Sequence, residues 1–356
     1  MKKIMFYINA IHHGGAERVI VNLATQFAQH NYKCVLVTSF VDTWEYPVND
    51  CVKRISLSES TIKNFLKRNI EYTKRLRNVI LTEKPDVLIS FMAEPNFRAL
   101  IATIGLKTKN IISVRNAPDR EYNTAVTKFL AKTLFRKADG VVFQTEDAKK
   151  WFPIQIQKKS RIIFNQVDNV FYNTTYTGVR HGIVTTGRLT PQKNHKILIK
   201  AFAKIADQIN DKLYIYGDGE LREELEQLIA DLNMKNRIFL PGSTKNVAET
   251  IKSAKLFVLS SDYEGMPNSL MEAMALGLPC ISTDCPCGGA RSIIRNGENG
   301  VLIACNDVDN LANTMLELLY KDDFLNIIAQ SARNTATVLF EPNRIFKLWE
   351  TYVLSV

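Results

Sequence analysis

Residues 255–283 read KLFVLSSDYEGMPNSLMEAMALGLPCIST. The stretch opens on an apolar run with no polar alternation, KLFVLSS, and closes on a second short β-rich run, PCIST. Between them, Leu270, Ala273, Met274 and Leu276 recur at helical spacing behind a turn that contains Gly265 and Pro267. An unalternating apolar run is what a strand looks like when both its faces are covered, the condition inside a parallel sheet. Strand, helix, strand then reads as a right-handed βαβ unit. Working outward, GIVTTG, KLYIYG and RIFLPG precede this unit and GVLIA follows it. The first half repeats the arrangement with KKIMFYI, KCVLVTS, DVLISF, NIISV, GVVFQ and RIIF. The expected class is therefore α/β, with two Rossmann-like doubly wound domains in tandem facing each other across a cleft.

With 356 residues the chain exceeds one ordinary core. The expected division is 1–168, 169–340 and a terminal helix, 341–356, packing back toward the first domain. The polar, unperiodic segment 165–182, NQVDNVFYNTTYTGVRHG, is the hinge candidate. No run of eighteen apolar residues occurs, so no spanning helix is expected. The start, MKKIMFYINAIHHGG, has no small-residue cleavage site and reads as a first strand. Six cysteines in a chain this long do not form a disulfide framework, and Cys280, Cys285 and Cys287 lack paired metal-ligand spacing. Reduced thiols fit a cytoplasmic setting. Net charge divides unevenly, +12 over residues 1–170 and −2 over 171–356, which points to different partners for the two halves.

Open parallel sheets bind ligands beyond the carboxyl ends of their strands. After the first strand, Gly14 and Gly15 open a helix whose free N–H groups suit a phosphate, or simply make a tight turn. After GIVTT, the loop GRLTPQKNH presents Arg188 and Lys193, a forked and a point cation suited to a diphosphate. YGDGELREEL turns on Gly217 and Gly219, and PGSTKN places Gly242 where a base could lie. In the opening stretch, Glu264 precedes a helix for which Pro267 is a natural first-turn residue. Glu272 follows in its second turn, off the packed face. Gly265, Met266, Asn268, Ser269 and Leu270 lie between the two acids, where free N–H groups and the positive helix end favour an anion. Carboxylates accept paired hydroxyls. Hydroxyls, phosphate, hydroxyls is the outline of a nucleotide sugar.

These motifs carry a family resemblance over nearly the whole chain. GGAERV, GRLxxxKN, YGDGELR and EGMPNSLMEAMALGLPCIST resemble the retaining family-4 glycosyltransferases with the GT-B fold, and TDCPCGGARSIIRNGENG is similar to the subgroup that extends bacterial lipid-linked oligosaccharides and surface polysaccharides. The resemblance implies that Arg188 and Lys193 hold the donor diphosphate, Glu272 the ribose and Glu264 the donor sugar near the reacting carbon. It implies that Gly14 and Gly15 meet phosphate or acceptor, and that Gly242 lies near the base. Two positions depart from the pattern. Arg115 in SVRNAP stands where many relatives carry a histidine, and Gln166 replaces the glycine of an NGVD hinge.

The expected activity is metal-independent transfer of a hexose or N-acetylhexosamine from a UDP-sugar to a hydroxyl of a lipid-diphosphate-linked glycan or polysaccharide acceptor, with retention and no cofactor. No DxD-type acidic pair follows a strand to hold a metal–diphosphate bridge. A UDP-sugar epimerase and a silent sugar-nucleotide-binding subunit are the competing readings. Residues 61–80, TIKNFLKRNIEYTKRLRNVI, form a basic amphipathic helix suited to an anionic membrane surface, which makes the expected location cytoplasmic and peripheral on the cell membrane. No aromatic-interleaved basic strand accompanies the charge, so nucleic acid is not an expected partner.

Overall fold

The computed structural model describes residues 2–12, 14–42, 44–58 and 60–356. Runs such as Ile4–Ile8 and Val87–Phe91 lose nearly all their surface, which only an interior strand with layers on both faces achieves. The described chain divides into two units: residues 2–165 with 343–356, and 166–342.

The first unit holds a seven-stranded, wholly parallel sheet: β1 (Lys3–Ile8), β2 (Lys33–Thr38), β3 (Val52–Ser56), β4 (Val87–Phe91), β5 (Lys109–Ser113), β6 (Gly140–Phe143) and β7 (Ser160–Ile162). The order β3-β2-β1-β4-β5-β6-β7 reverses between β1 and β4. The apolar-run criterion did not anticipate β3. It is an edge strand, mostly half-buried, with two adjacent cations, Lys53 and Arg54, so its sequence resembles a polar loop.

One face of this sheet is covered by helix Gly15–Gln29 and by the chain's last helix, Pro342–Ser355. That last helix brings Ile345, Phe346, Trp349 and Val353 into one buried cluster with Ile4, Phe6 and Phe27. The Val141 amide donates to Tyr352 Oη at 2.8 Å, and that hydroxyl donates to the Lys159 carbonyl. The other face packs Tyr72, Leu76 and Ile80 of helix Phe65–Glu83, with Ala99 and Ala102 of helix Ala93–Ala102.

The second unit holds six parallel strands: β8 (Ile183–Thr186), β9 (Leu213–Tyr216), β10 (Ile238–Gly242), β11 (Leu256–Leu259), β12 (Cys280–Thr283) and β13 (Val301–Ile303). Their order, β10-β9-β8-β11-β12-β13, reverses between β8 and β11. Both sheets therefore offer a crevice at the carboxyl ends flanking a reversal, where ligands of open α/β sheets bind.

Candidate functional site

In the second unit the loops leaving β8 and β11 meet at the reversal. They are about seventy residues apart in sequence and are laced together. Asp262 N donates to the Gln192 carbonyl at 2.9 Å, Ser260 Oγ to the Lys193 carbonyl at 3.0 Å, and Asn194 Nδ2 to Asp262 Oδ1 at 2.7 Å. Asn194 adopts a left-handed φ of 44°, so the short turn Pro191–Lys193 can swing directly into helix His195–Ile205.

The lacing aims side chains at one another. Lys193 Nζ lies 2.5 Å from Glu264 Oε1, which also accepts from Ser261 Oγ at 2.8 Å. Gln192 Nε2 reaches Glu264 Oε2 at 3.4 Å. Glu264 is only 7% exposed, so its charge needs this escort. An ammonium has three donors, and Lys193 uses one here, leaving two for a second anion. Arg188 projects from the same loop, exposed and with no side-chain partner among the described residues. Beneath them His195 is buried; desolvation, with Lys193 beside it, pushes its imidazole down to about 4, which keeps it neutral. Sequence reasoning passed over His195, Gln192 and Ser261, although the first two lie inside the quoted GRLTPQKNH motif.

Glycines knit the remaining loops to this pair. Gly217, at φ +146°, comes so close to Gly187 that a Cβ would sit 1.9 Å from its carbonyl oxygen. Gly217 N donates to the Gly242 carbonyl at 3.0 Å, and Leu189 N to the Asp218 carbonyl at 2.9 Å. Across the site, a Cβ on Gly289 would stand 1.9 Å from the Gly265 oxygen, while Glu264 N donates to the Pro286 carbonyl at 2.8 Å. The turn glycines thus answer first to neighbouring backbone.

The helix after Glu264 runs Asn268–Ala275, and Pro267 is its cap rather than its first helical residue; no side chain caps the start. Ser269 Oγ near that end is buried and unpartnered. The expectation that Glu272 lies off the packed face needs correction. Residues 270–275 are buried all round, Glu272 included, because β11, β12 and helix Asp322–Phe340 enclose the short helix. Arg188, Lys193, Glu264, Gly265, Met266, Asn268, Ser269, Leu270, Gly217, Gly242 and Glu272 all belong to this unit.

Gly14, Gly15 and Arg115 belong to the other unit. Gly14 caps helix Gly15–Gln29, but the Glu17 carboxylate folds back to within 1.8 Å of where a Gly14 Cβ would stand, so an acid of the chain itself covers that helix end. Arg115 turns inward. Its guanidinium carbon stacks 3.8 Å over Phe91 and 5.6 Å over Trp349, and Nη1 donates to Asn165 Oδ1 at 2.7 Å. Burial pushes it down to about 9, still charged at neutrality, with Nε and Nη2 unpartnered. Among the described residues no group of three or more acidic, histidine or cysteine side chains is gathered as for a metal.

Comparison with known proteins identifies the family. Residues 13–170 match the family Glycosyltransferase Family 4, and residues 180–335 match Glycosyl transferases group 1. The chain is 30% identical, over all of both sequences, to a Campylobacter jejuni N-acetylgalactosamine-N,N'-diacetylbacillosaminyl-diphospho-undecaprenol 4-alpha-N-acetylgalactosaminyltransferase. Over 47% of this chain and 44% of the relative, it is 34% identical to an Escherichia coli UDP-Gal:alpha-D-GlcNAc-diphosphoundecaprenol alpha-1,3-galactosyltransferase. An Anabaena protein crystallised with UDP-glucose superposes with a TM-score of 0.85 over the full length of both chains at 18% identity, a likeness of fold alone. The chain belongs to the family-4 glycosyltransferases.

Proposed function

We propose that this glycosyltransferase moves a hexose or N-acetylhexosamine from a UDP-sugar to a hydroxyl of a lipid-diphosphate-linked glycan, with retention and without a metal. The interlocked β8 and β11 loops carry the reading. They bring Lys193 to the buried carboxylate of Glu264, with Arg188 on the same loop and a helix start without a side-chain cap just after Glu264. Breaking the donor's bond to the nucleotide loads negative charge onto the diphosphate. Arg188 and the two spare donors of Lys193 would take that charge, aided by the dipole of the Asn268 helix. Glu264, fixed by Lys193 and Ser261, would accept hydroxyls of the donor sugar, and Glu272 those of the ribose. The acceptor hydroxyl attacks from the leaving-group face and its proton passes to the departing phosphate, so no side chain serves as general base. The relatives' diphospho-undecaprenol acceptors support the lipid-linked class.

A membrane surface is the second partner in this reading. On helix Phe65–Glu83, Phe65, Leu66 and Ile70 are exposed beside the exposed Lys67 and Lys74. Arg75 and Arg77 are committed elsewhere, to the Leu57 and Ala102 carbonyls, so fewer cations remain for lipid than the sequence suggests. No helix among the described residues is long and apolar enough to cross a membrane.

The deciding experiment gives the full chain a panel of UDP-sugars, with diphospho-undecaprenol-linked glycans and with EDTA, reading UDP release and product anomer. Acceptor-dependent release, unchanged by EDTA and with the donor's configuration kept, is expected. Inversion, or conversion of the UDP-sugar without any acceptor, would overturn it.

A further inference from the structure

The cysteines have no part in the chemistry above, yet Cys285, Cys287 and Cys305 lie around the loop that carries Glu264. That loop is pinned from the exits of β12 and β13. Glu264 N donates to the Pro286 carbonyl at 2.8 Å, and Cys287 N returns a bond to the Glu264 carbonyl at 3.0 Å. Thr283 Oγ1 donates to the Ser261 carbonyl at 2.5 Å, and Cys305 Sγ lies 4.0 Å from the same oxygen. The Ser261 hydroxyl is the one that holds Glu264 Oε1.

Two of these thiols are neighbours. β12 and β13 are paired with Thr283 opposite Ile303, and Asp284 N carries the pairing onward with a 2.7 Å bond to the Ile303 carbonyl. Cys285 and Cys305 each come two residues after that couple. Paired strands lie about 4.8 Å apart, inside the roughly 4.4–6.8 Å between Cα atoms that a disulfide spans. The thiols also feel one another: burial, then the Glu264 carboxylate, then Cys305 push Cys285 up to about 12. Cys285 is fully buried, whereas Cys305 is half-buried. Burial, Asp262 and Asp284 push Cys305 up as well, while Arg291 pulls the other way. Both rest as thiols near neutrality, so the pair answers slowly, to a sustained oxidant.

We propose that Cys285 and Cys305 are a redox-active dithiol, linked by a peroxide into a disulfide that disables the Glu264 site and reopened by a reducing thiol. The more exposed Cys305 attacks one peroxide oxygen as its thiolate. The O–O bond breaks, Cys305 becomes a sulfenic acid, and the departing hydroxide takes up the Cys305 proton as water. The Cys285 sulfur then attacks the Cys305 sulfur. The S–S bond forms, and the sulfenic hydroxyl leaves with the Cys285 proton as a second water. Two electrons have passed from the thiols to the peroxide. A bond of about 2.05 Å draws the exits of β12 and β13 together. The Ser261–Glu264 loop, which rests on both exits, moves with them, and a carboxylate that must meet a substrate hydroxyl is sensitive to such a shift. The loss of activity rests on the glycosyl-transfer reading above; the disulfide itself does not.

The test treats the full chain with hydrogen peroxide, maps disulfides by non-reducing peptide mass spectrometry and follows acceptor-dependent UDP release. A Cys285–Cys305 peptide should appear while release falls roughly tenfold to a hundredfold, and dithiothreitol should reverse both. Cys305→Ser should start with wild-type activity and keep it in peroxide; Cys285→Ala serves if Cys305→Ser lowers Tm. Cys51→Ser, which removes the exposed thiol of the first unit, should stay as sensitive as wild type. No link between Cys285 and Cys305, a link that leaves release unchanged, or inactivation that persists in Cys305→Ser and Cys285→Ala would overturn the switch. If the reduced chain releases no UDP with any acceptor, the transfer reading fails instead, and the peptide map still decides the dithiol.

Discussion

Both sheets reverse their strand order and open a crevice there, yet they hold the walls of that crevice by opposite means. In the second unit the loops are clamped backbone to backbone: Gly217 against Gly187, Gly289 against Gly265, and amide-to-carbonyl bonds joining the β8 and β11 loops. In the first unit the wall hangs on a buried cation, Arg98, which ties Asn9, Asn69 and Glu94 together. A backbone clamp tolerates no added atom but leaves side chains free to meet a ligand. A side-chain clamp can be rebuilt by substitution, at the cost of keeping a desolvated charge.

That contrast can be broken in three places. The largest effect is expected at Lys193. Lys193→Ala should lower kcat by about 100- to 1,000-fold, since it removes a cation at the leaving group, while acceptor KM moves little. Steady-state kinetics checks this, and an unchanged kcat would remove the electrostatic role.

Next comes the backbone clamp itself. Gly217→Ala forces a methyl into the Gly187 carbonyl at an unfavourable φ. Strain of roughly 2 kcal/mol should lower the Tm of the second unit by about 4–8 °C and weaken UDP binding. A Tm within error of wild type would mean the loops are not clamped there.

The smallest effect concerns a buried acid of the first unit. Glu121 accepts from the Ala93 amide at 2.8 Å while its other oxygen is buried without a partner, and desolvation pushes its carboxyl up to about 7. A raised carboxyl pKa means that the folded chain holds a proton the unfolded chain has lost. Its contribution is therefore complete below about 4.5 and is lost as pH rises through about 7. Wild-type Tm should decline across that window relative to Glu121→Gln, in which an uncharged side chain keeps the amide bond. Parallel Tm–pH curves for the two proteins would contradict it.

The two designs also differ in how well they can be read from the chain. Glycines, a proline and charged residues packed into GRLTPQKNH and DYEGMPNSLMEA announce a backbone-built site, because a short stretch carries all the information. The apolar strands are legible for the same local reason. Arg98 was invisible: its partners Asn9 and Asn69 lie far off in sequence, and nothing near it marks it as different from a surface arginine. Arg115 stands where the family pattern has a histidine, and nothing in SVRNAP marks it as a residue that packs inward. Its inward turn depends on Trp349, a residue more than two hundred positions later. Glu272 was placed on an open helix face because an eight-residue helix shows its packing only once its surroundings are known.

The helix Pro342–Ser355 has a consequence for biosynthesis. Trp349 and its neighbours complete the core that begins with Ile4, yet they leave the ribosome after every strand of the second sheet. Domains ordinarily fold in the order they are made. Here an early-made sheet must wait, unfinished, for a helix made after both sheets, and a nascent chain halted before residue 343 would expose the cluster around Ile4.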